Sequence, residues 1–280
     1  MIVPEDHAAL AAVAMPGTGL CTIVNIEGSF SRRLGAQLAV HPDGSVTGSL
    51  ADGCLERELA AEVARGGAAR VIRYGAGSPK IDFRLPCGGG LDILIEPVPD
   101  HAACAAAAHR LAAREEARLA LPGQELLPLR RYVPALRLVL LGEGPELAAM
   151  ARLGEAAGMV VESHSREDGS LTLGQRPDHI ALDRWSALVL LFHDHEWEEA
   201  LLDWGLRSPA FFIGAQGGGP ARMARGQRLA ALGYAEAQVA RIASPLGLIG
   251  HSREPSALAL SALAGVAGLY ELRHPHHAQR

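Results

Sequence analysis

From residue 137 onward the chain alternates short apolar runs with helix-forming stretches, and that order leaves few folds open. RLVLLG, MVVESHS, ALVLLF and AFFIGA read as strands. PELAAMARLGEAAG, EWEEALLDWGL and PARMARGQRLAALG read as helices among them, and PSALALSALAGVAGLYEL closes the chain as another. A strand as apolar as ALVLLF has no polar face to offer water. It must be buried on both sides, which a parallel sheet with helices on both faces provides. The pattern predicts a Rossmann-like α/β domain over residues 135–280.

The first hundred residues follow a different grammar. CTIVNI, AQLAV, ARVIRY and LDILIEP are short apolar strands bounded by glycine, proline or charge. HPDGS, between Val40 and Val46, carries an Asp-Gly turn signal. One helix is expected from Leu55 to Arg65: Leu55, Leu59 and Val63 recur at helical spacing, Asp52 is placed to cap it, and Gly66-Gly67 stops it. This predicts an α+β module over residues 1–100. Alanine, leucine and charge density then favour a helix from about His101 to Leu121. LPGQELLPLRRYVPAL, with three prolines and one glycine, reads as a linker. Residues 101–134 are therefore expected to be a helical segment and linker between two domains.

Composition excludes several function classes. The 280 residues are 49% hydrophobic and 20% charged, a globular balance sufficient for two modest domains. Net charge is −5 with no basic block, so nucleic acid is not an expected partner. Cys21, Cys54, Cys87 and Cys104 form no CxxC pair, which argues against a zinc knuckle and a disulfide scaffold. The N-terminus is acidic where a secretory leader is basic, and no uninterrupted apolar run is long enough to span a bilayer. A cytoplasmic, reducing location follows as the expectation. The histidine-rich end, RHPHHAQR, suggests no role.

Two cysteines carry the chemistry. Cys54 lies in GSLADGCLE and Cys87 in RLPCGGG, each embedded in glycine. Glycine lets backbone amides approach a bound group, and a thiolate beside such amides suits a soft metal with an anionic ligand. Cys54 also opens a helix, where the dipole favours a thiolate, with Arg57 one turn on and Glu56 and Glu58 opposing. The alternative is a pair of inert buried cysteines. EGSFSRRLGAQ places Gly28, Ser29, Arg32 and Arg33 in one turn, able to hold a phosphate bidentately or simply to face solvent.

The second half offers three turns at strand ends. In GEGPEL, Gly142 and Gly144 stand where a dinucleotide fold needs them, but Leu147 occupies the third glycine position. The next strand ends in Ser163-His164-Ser165, with Glu162 as the nearby acid. Local chemistry favours a Rossmann-like domain without a nicotinamide cofactor. HDHEWEE puts His193, Asp194 and His195 after a strand, either at a ligand site or as a loop capped by Asp194. In IGAQGGGP, the amides of Gly217, Gly218 and Gly219 suit a phosphate or a pterin, or form a flexible connection. Arg222 and Arg225 follow on the next helix.

GSFSRRLGAQLAV, GSLADGCLERELAAEV and LPCGGGLDILIEP closely resemble the N-terminal module of the XdhC/CoxI family. LLGEGPELAAMARL, LLFHDHEWEE, FFIGAQGGG and SPLGLIGHSREPSALALSALAG resemble its C-terminal Rossmann-like domain. Departures include Ser31 and Leu34 where prolines are usual, Ala51 and Asp52 before Gly53, and Pro145 in the Rossmann turn. The resemblance implies a molybdenum-cofactor chaperone that matures xanthine dehydrogenase, aldehyde oxidoreductase or carbon monoxide dehydrogenase-type molybdoenzymes, with no direct catalysis required. It makes residues 1–100 the cofactor-binding module. Gly28, Ser29, Arg32, Arg33, Gly53, Cys54, Glu56, Cys87, Gly88 and Gly89 are its expected binding residues, with Cys54 and Cys87 as ligands to molybdenum. In the second half, Gly142, Gly144, His193, Gly214 and Gly217 are expected to contribute. The implied cargo is molybdopterin or its cytosine dinucleotide form. The implied partners are an apo-molybdoenzyme client, a cysteine desulfurase or other cofactor-modifying enzyme, and a second copy in a homodimer. The alternative is an NAD(P)-binding Rossmann oxidoreductase using Gly142 and Gly144.

Overall fold

The computed structural model describes residues 5–51, 53–78, 88–250 and 252–275. The chain divides into two compact units between Pro134 and Ala135.

The first unit is built on an antiparallel sheet. Its elements are α1 (Glu5–Ala12), β1 (Gly19–Glu27), β2 (Gln37–Val40), β3 (Val46–Gly48), α2 (Gly53–Ala64), β4 (Arg70–Gly75) and β5 (Gly90–Glu96). The strand order is β3-β2-β1-β5-β4. The Asp-Gly signal makes the β2–β3 turn, with Gly44 at φ +82° and Asp43 accepting from the Ser45 amide at 2.9 Å. Alternate side chains divide between two faces. Cys21, Ile23, Leu38, Ile93 and Ile95 pack with Leu55 and Leu59 of α2. Leu20, Ala39 and Leu94 pack on the other side with Leu10 of α1.

Residues 101–134 depart from the expected helix and linker. A helix, α3 (His101–Ala112), is capped by Asp100, which accepts from the Ala103 amide. It ends well before Leu121. Arg114 takes φ +63°, and β6 (Ala117–Ala120) pairs antiparallel with β7 (Leu129–Tyr132). Ala117 and Leu119 alternate with exposed residues, so this stretch gains more by burying one strand face than by continuing an exposed helix. Pro122 and Pro128 flank the hairpin loop. Cys104, Leu111, Leu119, Leu121 and Tyr132 complete the core around Leu20 and Leu94. The segment is part of the first unit's interior.

At the end of β5 lies Glu96, 5% exposed, with Oε2 buried and without a partner among the described residues. Burial pushes its carboxyl up to about 7 from the ordinary 4.5. Between those values the folded state keeps a proton that the unfolded state has lost. Stability therefore falls as pH rises from about 4.5 to 7 and levels off above, by up to ~1.4 kcal/mol per pH unit. Glu96→Gln is expected to remove this contribution. Urea midpoints of variant and wild type should diverge in the variant's favour across that window; a constant difference would contradict the assignment.

The second unit is the parallel sheet foreseen from the strand pattern. It comprises β8 (Arg137–Gly142), α4 (Gly144–Ala156), β9 (Val160–Ser165), β10 (Ser186–Leu191), α5 (Glu198–Arg207), β11 (Phe212–Ala215), α6 (Gly219–Ala231), α7 (Glu236–Val239), β12 (Ile242–Ala243) and α8 (Pro255–Arg273). The order is β12-β11-β10-β8-β9, all parallel. Every residue of β10 is buried, as its uninterrupted apolar run requires. The strand order reverses between β8 and β10, the switch point where open sheets of this kind receive ligands.

α8 is long and apolar enough by length and composition to cross a membrane, but Ser261 and Glu271 interrupt its apolar run. Ala259, Ala262, Leu263, Val266 and Tyr270 of this helix are buried within the protein.

Candidate functional site

The ends of β1 and β5 bring two of the predicted glycine turns together in the first unit. Glu27 pairs with Gly90, so Gly28-Ser29 and Gly88-Gly89 are neighbours. A Cβ on Gly89 would stand 2.5 Å from the Glu27 carbonyl oxygen, and one on Gly28 would meet the Gly89 Cα at 3.5 Å. Gly28 and Gly88 both have positive φ, at +80° and +70°. Arg73 of β4 crosses Gly90 and pairs with Asp92 at 2.8 Å and with Glu27, while Asn25 donates to Asp92 at 2.9 Å. This polar row was missed in the sequence. Its four members come from three strands, two of them from β1, and only sheet register shows that they meet.

At the start of α2, Cys54 is exposed and Arg57 Nη2 lies 3.2 Å from its Sγ. Gly53 is exposed beside it. Glu56 accepts from the Leu50 amide at 3.1 Å and from Ser49 Oγ at 3.0 Å, tying down the chain that enters the helix. Arg32 Nη2 donates to the same Ser49 Oγ at 2.9 Å. Arg32 Nε is buried without a partner among the described residues. A chain of contacts thus links the Arg32 turn to the Cys54 helix. Asp52 and Cys87 lie outside the described residues. Cys21 and Cys104 are buried, and burial pushes both thiols well above the ordinary range.

Arg33 is paired with an acid of its own unit. Its guanidinium donates to Asp6 Oδ2, at 2.8 Å from Nη2. Arg130, fully buried, reaches the same oxygen at 2.7 Å. Burial pushes the Asp6 carboxyl up, but the Arg130 and Arg33 guanidiniums outweigh it and hold it below its usual range. Beside it, burial lowers His7 to about 4. Asp6, His7 and Arg130 lie inside the first unit, and Arg33 pairs with Asp6 from the surface.

In the second unit, Gly142, Gly144 and His193 do meet at the switch point. A Cβ on Gly142 would stand 2.4 Å from the Leu191 carbonyl oxygen, so β8 and β10 need glycine there, and Gly144 has φ +77°. The N-terminus of α4 faces its own carboxylates, however. Glu143 pairs with Arg166 at 2.6 Å, and Glu146 Oε2 lies 3.7 Å from His193 Nε2. A pyrophosphate needs bare amides and positive charge at such a helix start. Leu147 is buried where the third glycine would be. Glu162 accepts from Arg137 Nε at 3.0 Å and contacts His164 at 3.0 Å, so it is engaged within the strand. This arrangement does not fit a nicotinamide dinucleotide.

Asp194 caps a short 3-10 turn by accepting from the Glu196 amide, the capping alternative for that loop. His195 contacts Glu198 at 3.1 Å, and Glu198 forms a buried pair with Arg225, bonded at 3.0 Å through Nε. Arg225 also donates to the Gln216 carbonyl oxygen and to Ser244 Oγ. Gly214 is buried in β11, where a Cβ would strike Leu246 at 2.7 Å. Gly217, at φ +127°, turns the chain into the bare amides of Gly218 and Gly219. Among the described residues, no group of three or more His, Cys, Asp or Glu could hold a metal ion.

Residues 17–75 match the XdhC and CoxI family, and residues 138–266 match the XdhC Rossmann domain. Over 290 aligned residues the chain is 31% identical to the molybdenum cofactor insertion chaperone PaoD of Escherichia coli (strain K12), covering 95% of this chain and 89% of that protein. The chain belongs to the XdhC and CoxI family. A crystal structure from Bacillus halodurans, described as a xanthine dehydrogenase, superposes with a TM-score of 0.77 at 18% identity, covering 97% of each chain. That likeness establishes the shared fold of this XdhC/CoxI chain. The first-unit match contains Gly28, Arg32 and Cys54; the second contains the switch point and the Gly217–Gly219 turn.

Proposed function

We propose that this protein is a chaperone for molybdenum cofactor, binding it and delivering it to an apo-molybdoenzyme of the xanthine dehydrogenase, aldehyde oxidoreductase or carbon monoxide dehydrogenase type. The observation that carries this reading is the start of α2. There an exposed thiol and a guanidinium lie 3.2 Å apart at a helix N-terminus. Cysteine sulfur is a soft ligand, and the guanidinium beside it can hydrogen-bond an anionic group on the same cargo. Arg32, with its orphaned Nε, and the glycine amides of the 28–29 and 88–89 turns suit a phosphate-bearing pterin. Identity with a cofactor insertion chaperone along most of the chain supports the same reading.

The reading extends to finer points. Cys87 is the second thiol toward molybdenum. The cargo is the cytosine dinucleotide form, a cysteine desulfurase meets the carrier during cofactor maturation, and the working form is a cytoplasmic homodimer. The protein itself catalyses no redox step. To test it, the chain is purified from cells that make the cofactor, and bound pterin and molybdenum are measured. The loaded protein is then mixed with an apo-molybdoenzyme. The expected result is co-purified cofactor and recovery of the client's activity. Protein without pterin or molybdenum, yet binding NAD(P) with redox turnover, would replace this reading with the oxidoreductase one.

A further inference from the structure

At the carboxyl ends of β11 and β12, a cleft of about 550 Å³ opens beside the start of α6. It belongs wholly to the second unit and is distinct from the β8–β10 switch point. Its border includes Gln216, Gly218, Gly219, Arg222, Ser252 and the loop carrying Leu248 and Ile249.

Two kinds of glycine meet here. Gly217 is demanded by the fold, since its φ is +127° and a Cβ would strike Ala221 at 2.8 Å. Gly218 and Gly219 are not. Gly218 has an ordinary φ of −83°, with only Pro220 at 4.0 Å from a Cβ, and a Cβ on Gly219 would meet nothing within 4 Å. Bare residues that packing does not require leave room for another group to reach the backbone amides. The N-cap makes no side-chain bond, and the first turn of α6 has no acidic residue, the reverse of α4 with Glu143 and Glu146. Arg222, one turn on, reaches the Ser244 carbonyl oxygen only at 3.4 Å, the long limit of a hydrogen bond.

The rest of the cleft asks for more than an anion. Gln216 Oε1 and Ser252 Oγ are both buried and without a partner among the described residues. An amide oxygen accepts only, so Gln216 calls for a hydrogen-bond donor, which an exocyclic amino group supplies. Leu248 and Ile249, 72% and 53% exposed, offer an apolar surface for a flat ring. An anion at bare amides, a donor for Gln216 and a ring on leucine and isoleucine together describe a nucleotide whose base carries an amino group.

We infer that this cleft holds the nucleotide end of a dinucleotide cargo, away from the switch point. The inference rests on the carrier reading and assigns the second unit its part in it. The full chain, purified without cofactor, is titrated with CDP by calorimetry, alongside Gly219→Asp, Arg222→Gln and Glu143→Gln variants. Gly219→Asp places a carboxylate where the anion would sit, while its charge stabilises the helix start. Its melting temperature should stay at or above that of wild type. CDP is expected to bind wild type saturably, and the Gly219→Asp and Arg222→Gln variants to bind it roughly tenfold or more weakly, the scale of one lost charge-assisted contact. Glu143→Gln should bind like wild type. Absence of CDP binding, wild-type binding by Gly219→Asp, or tighter binding by Glu143→Gln would overturn the inference. Pterin and molybdenum loading is measured separately: intact loading without CDP binding removes this site and leaves the carrier function standing.

Discussion

Arg130→Ala is expected to remove about 3–5 kcal/mol of stability, the scale for breaking one side of a buried ion pair. Arg130 is fully buried, donates to Asp6 at 2.7 Å and to the Gly35 carbonyl oxygen at 2.7 Å, and lies 4.5 Å over the Tyr132 ring. Tyr132 in turn donates to Gln37 at 2.6 Å, and Gln37 to Thr22 at 3.0 Å. Alanine would leave the Asp6 carboxylate with Arg33, itself 41% exposed, as its remaining guanidinium partner. Against a typical total of ~5–15 kcal/mol, that loss unfolds a large fraction of molecules under mild denaturant. An Asp6→Asn, Arg130→Ala double variant should lose less than the two single variants summed, because each single change strands the other's charge. The pair also sets an acid limb. The folded pKa of Asp6 is depressed, so its contribution is present above the ordinary 3.8 and is lost as pH falls through the folded value. Urea denaturation of the four proteins measures the coupling; an Arg130→Ala midpoint equal to wild type would contradict it.

Which features were legible in the sequence follows from how local their causes are. β8, β10 and β11 could be read because burial on both faces leaves an unbroken apolar run, as in Leu188–Leu191. α2 could be read because Leu55 and Leu59 put one face on the sheet. β6 could not: Ala117 and Leu119 alternate in an alanine-rich stretch whose propensity favours helix, and the partner strand that overrides it begins at Leu129. The Asp6–Arg130 pair spans 124 positions, and neither residue stands in a motif. Among the candidate site residues, the local geometry of Cys54 with Arg57 and of the Gly217–Gly219 turn was visible because glycine context and helical spacing are local. The pairing of Arg33 could not be read because its partner, Asp6, lies in a helix 27 positions away. The self-occupied start of α4 was hidden for a related reason, since Arg166 belongs to the loop after the next strand.

The second large effect concerns Cys54. Its thiol is exposed, so replacing it disturbs no packing, and α2 remains anchored through Leu55, Leu59 and Glu56. Arg57 would lose the sulfur it faces at 3.2 Å, and the cargo would lose a soft ligand at a helix N-terminus. Cys54→Ala should therefore fold with the wild-type melting temperature. Its molybdenum content should fall on the order of tenfold or more, the range seen when a metal's binding shell is disturbed.

The measurement that decides the account is the molybdenum and pterin content of Cys54→Ala and of Cys54→Ala, Cys87→Ala, each purified beside wild type from cells that make the cofactor. The account predicts wild-type protein carrying both, Cys54→Ala depleted of molybdenum at an unchanged melting temperature, and the double variant depleted further. A double variant that carries molybdenum and pterin at the wild-type level would contradict it.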